Sequence, residues 1–273
     1  MENNDKLNFL TGIQCIIVHN GTYHLDDVLC IALIQLCSYC GVEIVRTNDP
    51  SSLHTSKLTI TCDVGGGVFD HHQSDASTRP DGTKYSAFGL LWREFGRTII
   101  QNGLVGLNPQ TDNEIVEEAF KLFDEEFVIK VDRTDNYGQA KFPNDLANVI
   151  SVMSSTNYKI EIAVSWAKMM IIPLIEKSIG DVKARKEAKN LATNPCILLD
   201  HYIPARLFEG TVTQFTVSKS NREGWNLTAV SPATIDLPKE EMAGCTFIHP
   251  AKFLAVFNSK EDAVNAANQL LNK

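Results

Sequence analysis

Histidine and aspartate side chains are concentrated in three short segments of the first half of the chain. The segments are residues 19–27, 62–66 and 70–73, and they contain four of the seven histidines. A mixed set of imidazoles and carboxylates suits Mn²⁺, Fe²⁺, Co²⁺ or Zn²⁺ better than Ca²⁺, which prefers oxygen ligands alone. At least five candidate ligands are available. That is enough for two ions that share a carboxylate, activate a bridging water and hold a phosphoryl group.

Each of these residues also has an ordinary structural interpretation. Asp26 or Asp27 could serve only as the N-cap of a helix. An aspartate after a strand is often a turn residue, and the adjacent His71 and His72 could be structural histidines. The placement of all three clusters close together, two of them at predicted strand ends, favours a metal site over these separate explanations.

Short apolar runs predict the elements that position these clusters. Strands are expected at Ile13–Val18, Glu43–Arg46 and Leu58–Cys62, and a buried helix at Asp26–Cys40, with its carboxylates at the positive end of the helix dipole. This order of elements predicts an α/β fold with a sheet built by crossovers. The first two clusters then follow the carboxyl ends of strands, where open α/β sheets place their sites.

The rest of the chain predicts more helices and, after residue 194, a change to alternating strands. Expected helices are Ser86–Asn102, one opened by the capping pattern Thr111–Glu114, Ile160–Ala192 and Ser259–Leu271. Expected strands are Val212–Ser218, Trp225–Val230, Cys245–Ile248 and Phe253–Phe257. The break at Asn194-Pro195 predicts two domains, residues 1–192 and 196–273, the second a smaller α+β domain.

Composition limits the function classes. The net charge of −8 argues against a general nucleic-acid coat, although Lys183, Arg185, Lys186 and Lys189 form either a solvated helix face or one local basic track. Seven scattered cysteines indicate reduced thiols in a cytosolic or nuclear compartment, and the Cys37/Cys40 pair is interpreted as buried helix thiols rather than a zinc knuckle. No run of 18–20 apolar residues, secretory signal or transit peptide is recognised.

An ordered set of motifs resembles the melanocyte-proliferating-gene (Myg-type) family over nearly the whole chain. The motifs are His19–Asp26, Arg46–Pro50, Asp63–Gly66, Asp70–Gln73, Val131–Asn136 and Gly244–His249. That family is similar to the DHH phosphoesterases, which include RecJ-type exonucleases, nanoRNases and manganese pyrophosphatases. The resemblance implies a metal-dependent hydrolase with 3′–5′ exonuclease activity on RNA, in mitochondria and in the nucleus or nucleolus. It also implies a DHH-like N-terminal domain and a C-terminal substrate domain of the DHH-associated type.

The resemblance assigns roles by position, with two divalent ions, Mn²⁺ first and Mg²⁺, Co²⁺ or Zn²⁺ as alternatives. The implied metal ligands are His19, His24, Asp26, Asp63, His71 and Asp135. Asp63 would bridge both ions, and a bridging hydroxide would attack the phosphorus. His72 would contact the phosphate, so Asp63 and His72 are the expected catalytic residues. Gly65 and Gly66, which permit close backbone approach or simply a turn, join His72 as expected substrate contacts. Asp132 competes with Asp135, because register alone does not separate them.

Three departures from the family pattern shape the competing hypotheses. His24 stands where the DHH pattern has its first aspartate, and the loop from Gly66 to Asp70 is short. The glycines and histidine of a C-terminal family run are replaced in Lys252–Phe257, including Ala255, Val256 and Phe257. The leading hypothesis is a phosphodiesterase acting on single-stranded RNA or short oligonucleotides. The alternatives are a degenerate member that binds metal or RNA without turnover, and a hydrolase of a small phosphoanhydride or cyclic dinucleotide. Oligomeric state is left open.

Overall fold

A computed structural model describes residues 3–54, 56–138 and 145–273. The chain divides into two compact units, residues 1–179 and 180–273. Within the described part, the helices are α1 Asn3–Gly12, α2 Leu25–Cys37, α3 Ala87–Asn102, α4 Asn113–Phe123, α5 Ile129–Tyr137, α6 Leu146–Ser155, α7 Ile160–Leu191 and α8 Lys260–Leu271. The strands are β1 Cys15–Val18, β2 Glu43–Arg46, β3 Thr59–Thr61, β4 Cys196–Leu199, β5 Phe215–Lys219, β6 Trp225–Ala229, β7 Cys245–Ile248 and β8 Leu254–Phe257.

The N-terminal unit contains a parallel three-stranded sheet in the order β2-β1-β3. All four residues of β1 are buried, as expected for the central strand of a covered parallel sheet. Helix α2 is buried along most of its length, which explains why its sequence is apolar on every side. The shared direction of the strands brings the residues after β1 and β3 to one edge of the sheet.

The C-terminal unit contains a mixed five-stranded sheet in the order β4-β5-β6-β8-β7. Of its strand pairs, β4–β5 is parallel and the other three are antiparallel. Helix α8 packs its alanines Ala263, Ala266 and Ala267 against one face, over Leu227 and Phe257. These two sheets confirm the predicted α/β class, with a parallel sheet first and a smaller α+β unit second. The domain boundary at 190–197 stays a prediction.

Most predicted elements are present, with ends shifted by a few residues. Ser86 and Ser259, the first residues of two predicted helices, are the N-caps of α3 and α8. Helix α4 is capped by Asp112 and not by Thr111, the first residue of the predicted capping pattern, because the Asp112 carboxylate accepts the Glu114 N–H at 3.0 Å. Helix α2 ends earlier than predicted, at Cys37.

The early end of α2 corrects the interpretation of the Cys37/Cys40 pair. Cys37 is buried in the helix, but Cys40 is exposed beyond it. Ser38 makes the difference: its backbone is extended, and its hydroxyl accepts the Cys40 N–H at 3.0 Å. The prediction of two buried helix thiols is therefore wrong for Cys40.

No helix in the described residues has the length and apolarity required to cross a membrane.

Candidate metal centre

The candidate metal centre lies at the carboxyl edge of the parallel sheet. His19 follows β1 directly, and Asp63 follows β3 by two residues. His24 is the N-cap residue of α2, and Asp26 and Asp27 occupy the first turn of this helix with no exposed surface. The sheet edge and the helix N-terminus therefore bring the first two sequence clusters together.

Asp63 has a backbone conformation that is uncommon for residues other than glycine. Its φ is +59°, in the left-handed region that few non-glycine residues adopt. The segment after it folds back, since the Asp63 N–H donates to the Phe69 carbonyl at 2.9 Å. The Asp63 carboxylate is buried and lies between two imidazoles: Oδ1 is 2.9 Å from His71 Nε2, and Oδ2 is 3.5 Å from His19 Nε2. Strained backbone of this kind is concentrated at functional sites.

His71 joins the second and third clusters to α5. Its Nε2 lies 3.2 Å from Asp135 Oδ2 and 4.0 Å from Asp26 Oδ2. Its Nδ1 lies 3.3 Å from the side-chain oxygen of Asn136. An Nδ1–H donated to that oxygen leaves the Nε2 lone pair directed at the carboxylates, which is the tautomer that a ligating histidine requires.

The His19 ring, like that of His71, has an oxygen acceptor beside its Nδ1 atom. Its Nδ1 lies 2.8 Å from the Asn20 carbonyl, and its Nε2 lies 2.8 Å from Asp27 Oδ2. The contact with Asp27 raises the pKa of His19 to about 9, although burial opposes this shift.

Several buried polar atoms of the centre have no hydrogen-bond partner among the described residues. They are His19 Nε2, Asp26 Oδ1, Asp27 Oδ1 and Asp63 Oδ1. The short distances from His19 Nε2 to Asp27 and from Asp63 Oδ1 to His71 therefore lack the alignment of hydrogen bonds. Buried charges without partners are costly, so this arrangement fits a divalent cation.

Ligand atoms of the centre form three overlapping groups, each with all atoms within 4.8 Å of one another. The groups are His19, His24, Asp27 and Asp63; Asp63, His71 and His72; and His24, Asp26 and Asp135. Asp63 belongs to two groups and His24 to two. Nitrogen and carboxylate ligands in this ratio suit manganese, iron, cobalt or zinc.

The carboxylates also repel one another. Burial raises the pKa of Asp26 well above its ordinary value, and the charges of Asp63, Asp135 and Asp27 raise it further. Burial raises the pKa of Asp63 too, against the contact with His71. A cation bound among them would relieve both effects.

The Arg46–Pro50 motif holds the loop that carries the first histidines. The Arg46 guanidinium donates to the Gly21 carbonyl at 2.7 Å and lies over the Tyr23 ring at 5.6 Å. The Asn48 side chain accepts the Asn20 N–H at 2.9 Å. Residues at the end of β2 thus fix the loop between His19 and His24.

His72 differs from the other histidines of the centre because its side chain is 63% exposed. Its Nδ1 lies 2.9 Å from Asp70 Oδ1, which leaves Nε2 available to a ligand from solution. Burial would raise the pKa of Asp70, but N–H groups of Gly66 and His72 outweigh it and hold this pKa below its ordinary value.

Gly65 and Gly66, two of the three glycines in the loop after Asp63, have structural roles. The Gly66 N–H donates to Asp70 Oδ2 at 2.7 Å. A Cβ at Gly65 would lie 2.5 Å from Pro50, so this position has no room for a side chain. A contact of either glycine with substrate stays a prediction.

Asp132 lies apart from the three groups, whereas Asp135 is in one of them. Asp132 is fully buried and accepts hydrogen bonds from Ser86 N–H at 3.0 Å, Ser86 Oγ at 2.7 Å and Arg79 Nε at 2.6 Å. Arg79 also pairs with Asp124. Asp132 therefore has a cation from the protein itself.

Two contributors to the centre lie outside the ligand set that the sequence predicts. The sequence pattern gives Asp27 only a helix-cap role, yet Asp27 lies 2.8 Å from His19 and shares a group with it. Asn136 has no predicted role, although its side chain holds His71. The signal for both is adjacency, because each lies next to a predicted ligand in the sequence.

A cavity of about 230 Å³ opens beside the centre. His24 and Asp135 line it, together with residues of α5 and α6 such as Thr134 and Ser151. This volume is below the roughly 300–1,000 Å³ of drug-sized pockets. It admits a small group next to the two ligands.

Comparisons with known proteins agree with these motifs. A family model described as an uncharacterised protein family, UPF0160 (MYG1_exonuc), matches residues 15–188. The chain is 35% identical over 133 residues to a mouse MYG1 exonuclease, a match that covers 43% of this chain and about a third (34%) of the relative. It is 24% identical over 325 aligned positions to a MYG1 protein of Schizosaccharomyces pombe, covering 96% and 99% of the two chains. No solved structure matches the chain significantly.

The matched region begins at β1 and includes every residue of the three ligand groups. Since the family model also covers more than half of the sequence, the chain belongs to the MYG1 exonuclease family.

Proposed function

We propose that this protein is a metal-dependent phosphodiesterase that acts as a 3′–5′ exonuclease on RNA or short oligonucleotides. The observation that carries the proposal is the set of buried carboxylates, Asp26, Asp27 and Asp63, each with an oxygen that has no hydrogen-bond partner in the described chain. They adjoin imidazoles held in the ligating orientation. The name of the mouse relative, an exonuclease, supports the reaction class.

Two divalent ions, with Mn²⁺ as the first choice, are part of the proposal. His19, His24, Asp27 and Asp63 would hold one ion, and Asp26, Asp63, His71 and Asp135 the other. When bound, such ions polarise a phosphodiester and make water acidic enough to act as a nucleophile near neutral pH. Membership of Asp63 in two groups supports its role as the shared ligand.

The chain's own residues would position the substrate. His72 presents Nε2 on the exposed side of the centre, while Asp70 fixes its Nδ1. This places an imidazole where it can bind a phosphate oxygen or deliver a proton to the leaving oxygen. Asn136 and Asn20 keep the His71 and His19 rings in place.

Charge and space support a short, single-stranded substrate. Residues 1–179 contain 14 Lys and Arg against 23 Asp and Glu, a formal charge of −9. Such a surface does not attract a long duplex, which depends on many phosphate contacts. The 230 Å³ cavity beside His24 and Asp135 admits only a small part of a substrate, such as a terminal phosphodiester.

The test is turnover by the manganese-loaded full chain on a 5′-labelled single-stranded RNA and on a long duplex at matched salt. Faster turnover on the single strand is expected. His72→Ala should lower kcat by roughly 100-fold, in the range for a general acid or base. His201→Ala is the matched control because the His201 side chain is similarly exposed, at 61%, and lies outside the centre. Equal rates for the two variants would contradict the role of His72.

A second candidate function is binding of metal or RNA without turnover. It is favoured by the altered run Lys252–Phe257, because residues 254–257 form strand β8 between β6 and β7. Backbone groups paired on both sides of a strand are not available to a phosphate. No turnover with manganese bound would favour this candidate. Assays on a dinucleotide and on pyrophosphate test the third option, hydrolysis of a small phosphoanhydride or cyclic dinucleotide.

A further inference from the structure

A cavity of about 440 Å³ lies wholly within the C-terminal unit and has a positively charged wall. Arg185 and Lys189, one helical turn apart on α7, line it together with Arg206 from the short 3₁₀ turn Ala205–Phe208. Glu209 is the one acidic residue in the lining. The described lining thus contains three cationic residues and one acidic residue.

Two of these cations have no acidic partner among the described residues. Arg206 is paired with Asp181 at 3.3 Å. Neither Arg185 nor Lys189 forms an ion pair with any residue that the structure describes. Like charges one turn apart in a helix repel each other, so their placement on one wall is unfavourable for folding alone.

The elements that carry these cations pack against each other through an apolar cluster. Ala188, between the two α7 cations, has no exposed surface, and it packs in one apolar cluster with Leu207 and Phe208, the neighbours of Arg206. Gly210, which also lines the cavity, has a φ of +78°, and a Cβ at this position would have no atom within 4 Å. The cations are therefore held on rigid elements beside an open approach.

The overall charge distribution adds to this local pattern. Residues 180–273 contain eleven Lys and Arg and ten Asp and Glu, a formal charge of +1, compared with −9 for residues 1–179. The formal charge of residues 180–273 is thus less unfavourable to an anion than that of residues 1–179. Arginine and lysine are cationic side chains that bind phosphate without a metal ion.

We infer that this cavity binds phosphate groups independently of metal, on a ligand of nucleotide size. Its volume lies within the roughly 300–1,000 Å³ of ligand pockets. The same chemistry could be presented by the backbone of a single-stranded nucleic acid or by a free phosphorylated nucleotide. The inference does not depend on turnover at the metal centre.

The test uses the full chain in EDTA, so that the metal centre does not contribute. Binding of a fluorescein-labelled RNA of about eight nucleotides is measured by anisotropy, and inorganic phosphate and a 5′-mononucleotide serve as competitors. The double variant Arg185→Ala/Lys189→Ala should weaken binding at least tenfold. It should also lower the slope of log affinity against log salt by about 1.4, as expected for two lost contacts with a single strand.

The matched control is Lys183→Ala/Lys186→Ala, which removes the same charge from the same helix outside the cavity. It should weaken binding less than threefold, and thermal melting should show that both variants fold. Equal losses in the two variants, or no binding of any probe by the wild-type chain at low salt, would overturn the inference. If the mononucleotide binds and the RNA does not, the site is still supported, with a free nucleotide as its ligand.

Discussion

Two groups of buried aspartates flank the start of helix α3, and they differ in what neutralises them. Asp26 and Asp132 both have no exposed surface. Asp26 Oδ2 accepts the Ala87 N–H at 3.3 Å, and Asp132 Oδ1 accepts the Ser86 N–H at 3.0 Å. Both carboxylates therefore benefit from the same helix N-terminus.

The difference lies in the remaining oxygens. Arg79 and the Ser86 hydroxyl donate hydrogen bonds to the Asp132 carboxylate, so each of its oxygens has a donor. Asp26 Oδ1 has no hydrogen-bond partner in the described chain, and the same is true of Asp27 Oδ1 and Asp63 Oδ1. Burial of a carboxylate therefore does not identify a ligand by itself. The absence of a protein cation beside it is the stronger indication of a metal site.

The largest expected effect is the loss of folding stability when Asp132, which is neutralised by Arg79, is replaced. Asp132→Ala should lower the free energy of unfolding of the metal-free protein by about 3–5 kcal/mol, because it removes one of the two carboxylates that pair with the buried Arg79. Manganese bound per folded molecule should not change. Urea unfolding and elemental analysis measure the two quantities, and Asp132→Asn serves if the alanine variant does not fold. A loss below about 1 kcal/mol would remove the contrast between the groups.

The opposite pattern is expected at the metal centre. Asp63→Asn should lower manganese affinity by more than about 100-fold, since losses of even indirect supporting residues cost 10–100-fold. It should cost the metal-free protein less than about 1 kcal/mol, because Oδ1 has no hydrogen-bond partner to lose. Asparagine is used because it tolerates the positive φ of this position. Asp75→Asn, in an exposed part of the same loop, is the control for calorimetric titration; wild-type affinity in Asp63→Asn would contradict the assignment.

Metal itself should stabilise the folded chain. Manganese at 100 times its dissociation constant adds about 2.7 kcal/mol for one site, which corresponds to a rise in Tm of roughly 5–10 °C for a protein of this size. The rise should disappear in Asp63→Asn and persist in Asp132→Asn. Differential scanning fluorimetry with and without manganese measures it, and an equal rise in both variants would show that the ion binds elsewhere.

The smallest expected effect is a loss of manganese affinity that tests what orients the His71 ring. Asn136→Ala should lower manganese affinity about tenfold, because the ring loses the acceptor that holds its Nδ1. Arg133→Ala, on the same helix and paired only with Asp81 among described residues, is the control. Equal affinities in both variants would show that packing alone orients the ring.

The elements around the site are predictable because their patterns are strong. Strands β1 to β3 and helix α2 are apolar runs bounded by polar clusters, and this pattern alone indicates a buried parallel sheet. Helices α1, α5 and α6 and strand β4 are absent from the sequence-based prediction. Helix α5 has a charged sequence, Lys130 to Asp135, whose buried residues Val131 and Asp132 are too few to reveal a period. Strand β4 is the apolar run Cys196–Leu199, which has no polar residue to give an alternating pattern, and only folding shows that it pairs in parallel with β5.

The sequence by itself determined which kinds of candidate ligand gather at one edge of a sheet, because parallel strands carry the residues after them to the same side. Only the tertiary structure separated Asp132 from Asp135. They are three residues apart on one helix, so they point in similar directions and periodicity treats them alike. What distinguishes them is Arg79, which lies 53 residues before Asp132 in the sequence, outside every motif, and reaches that carboxylate through folding alone.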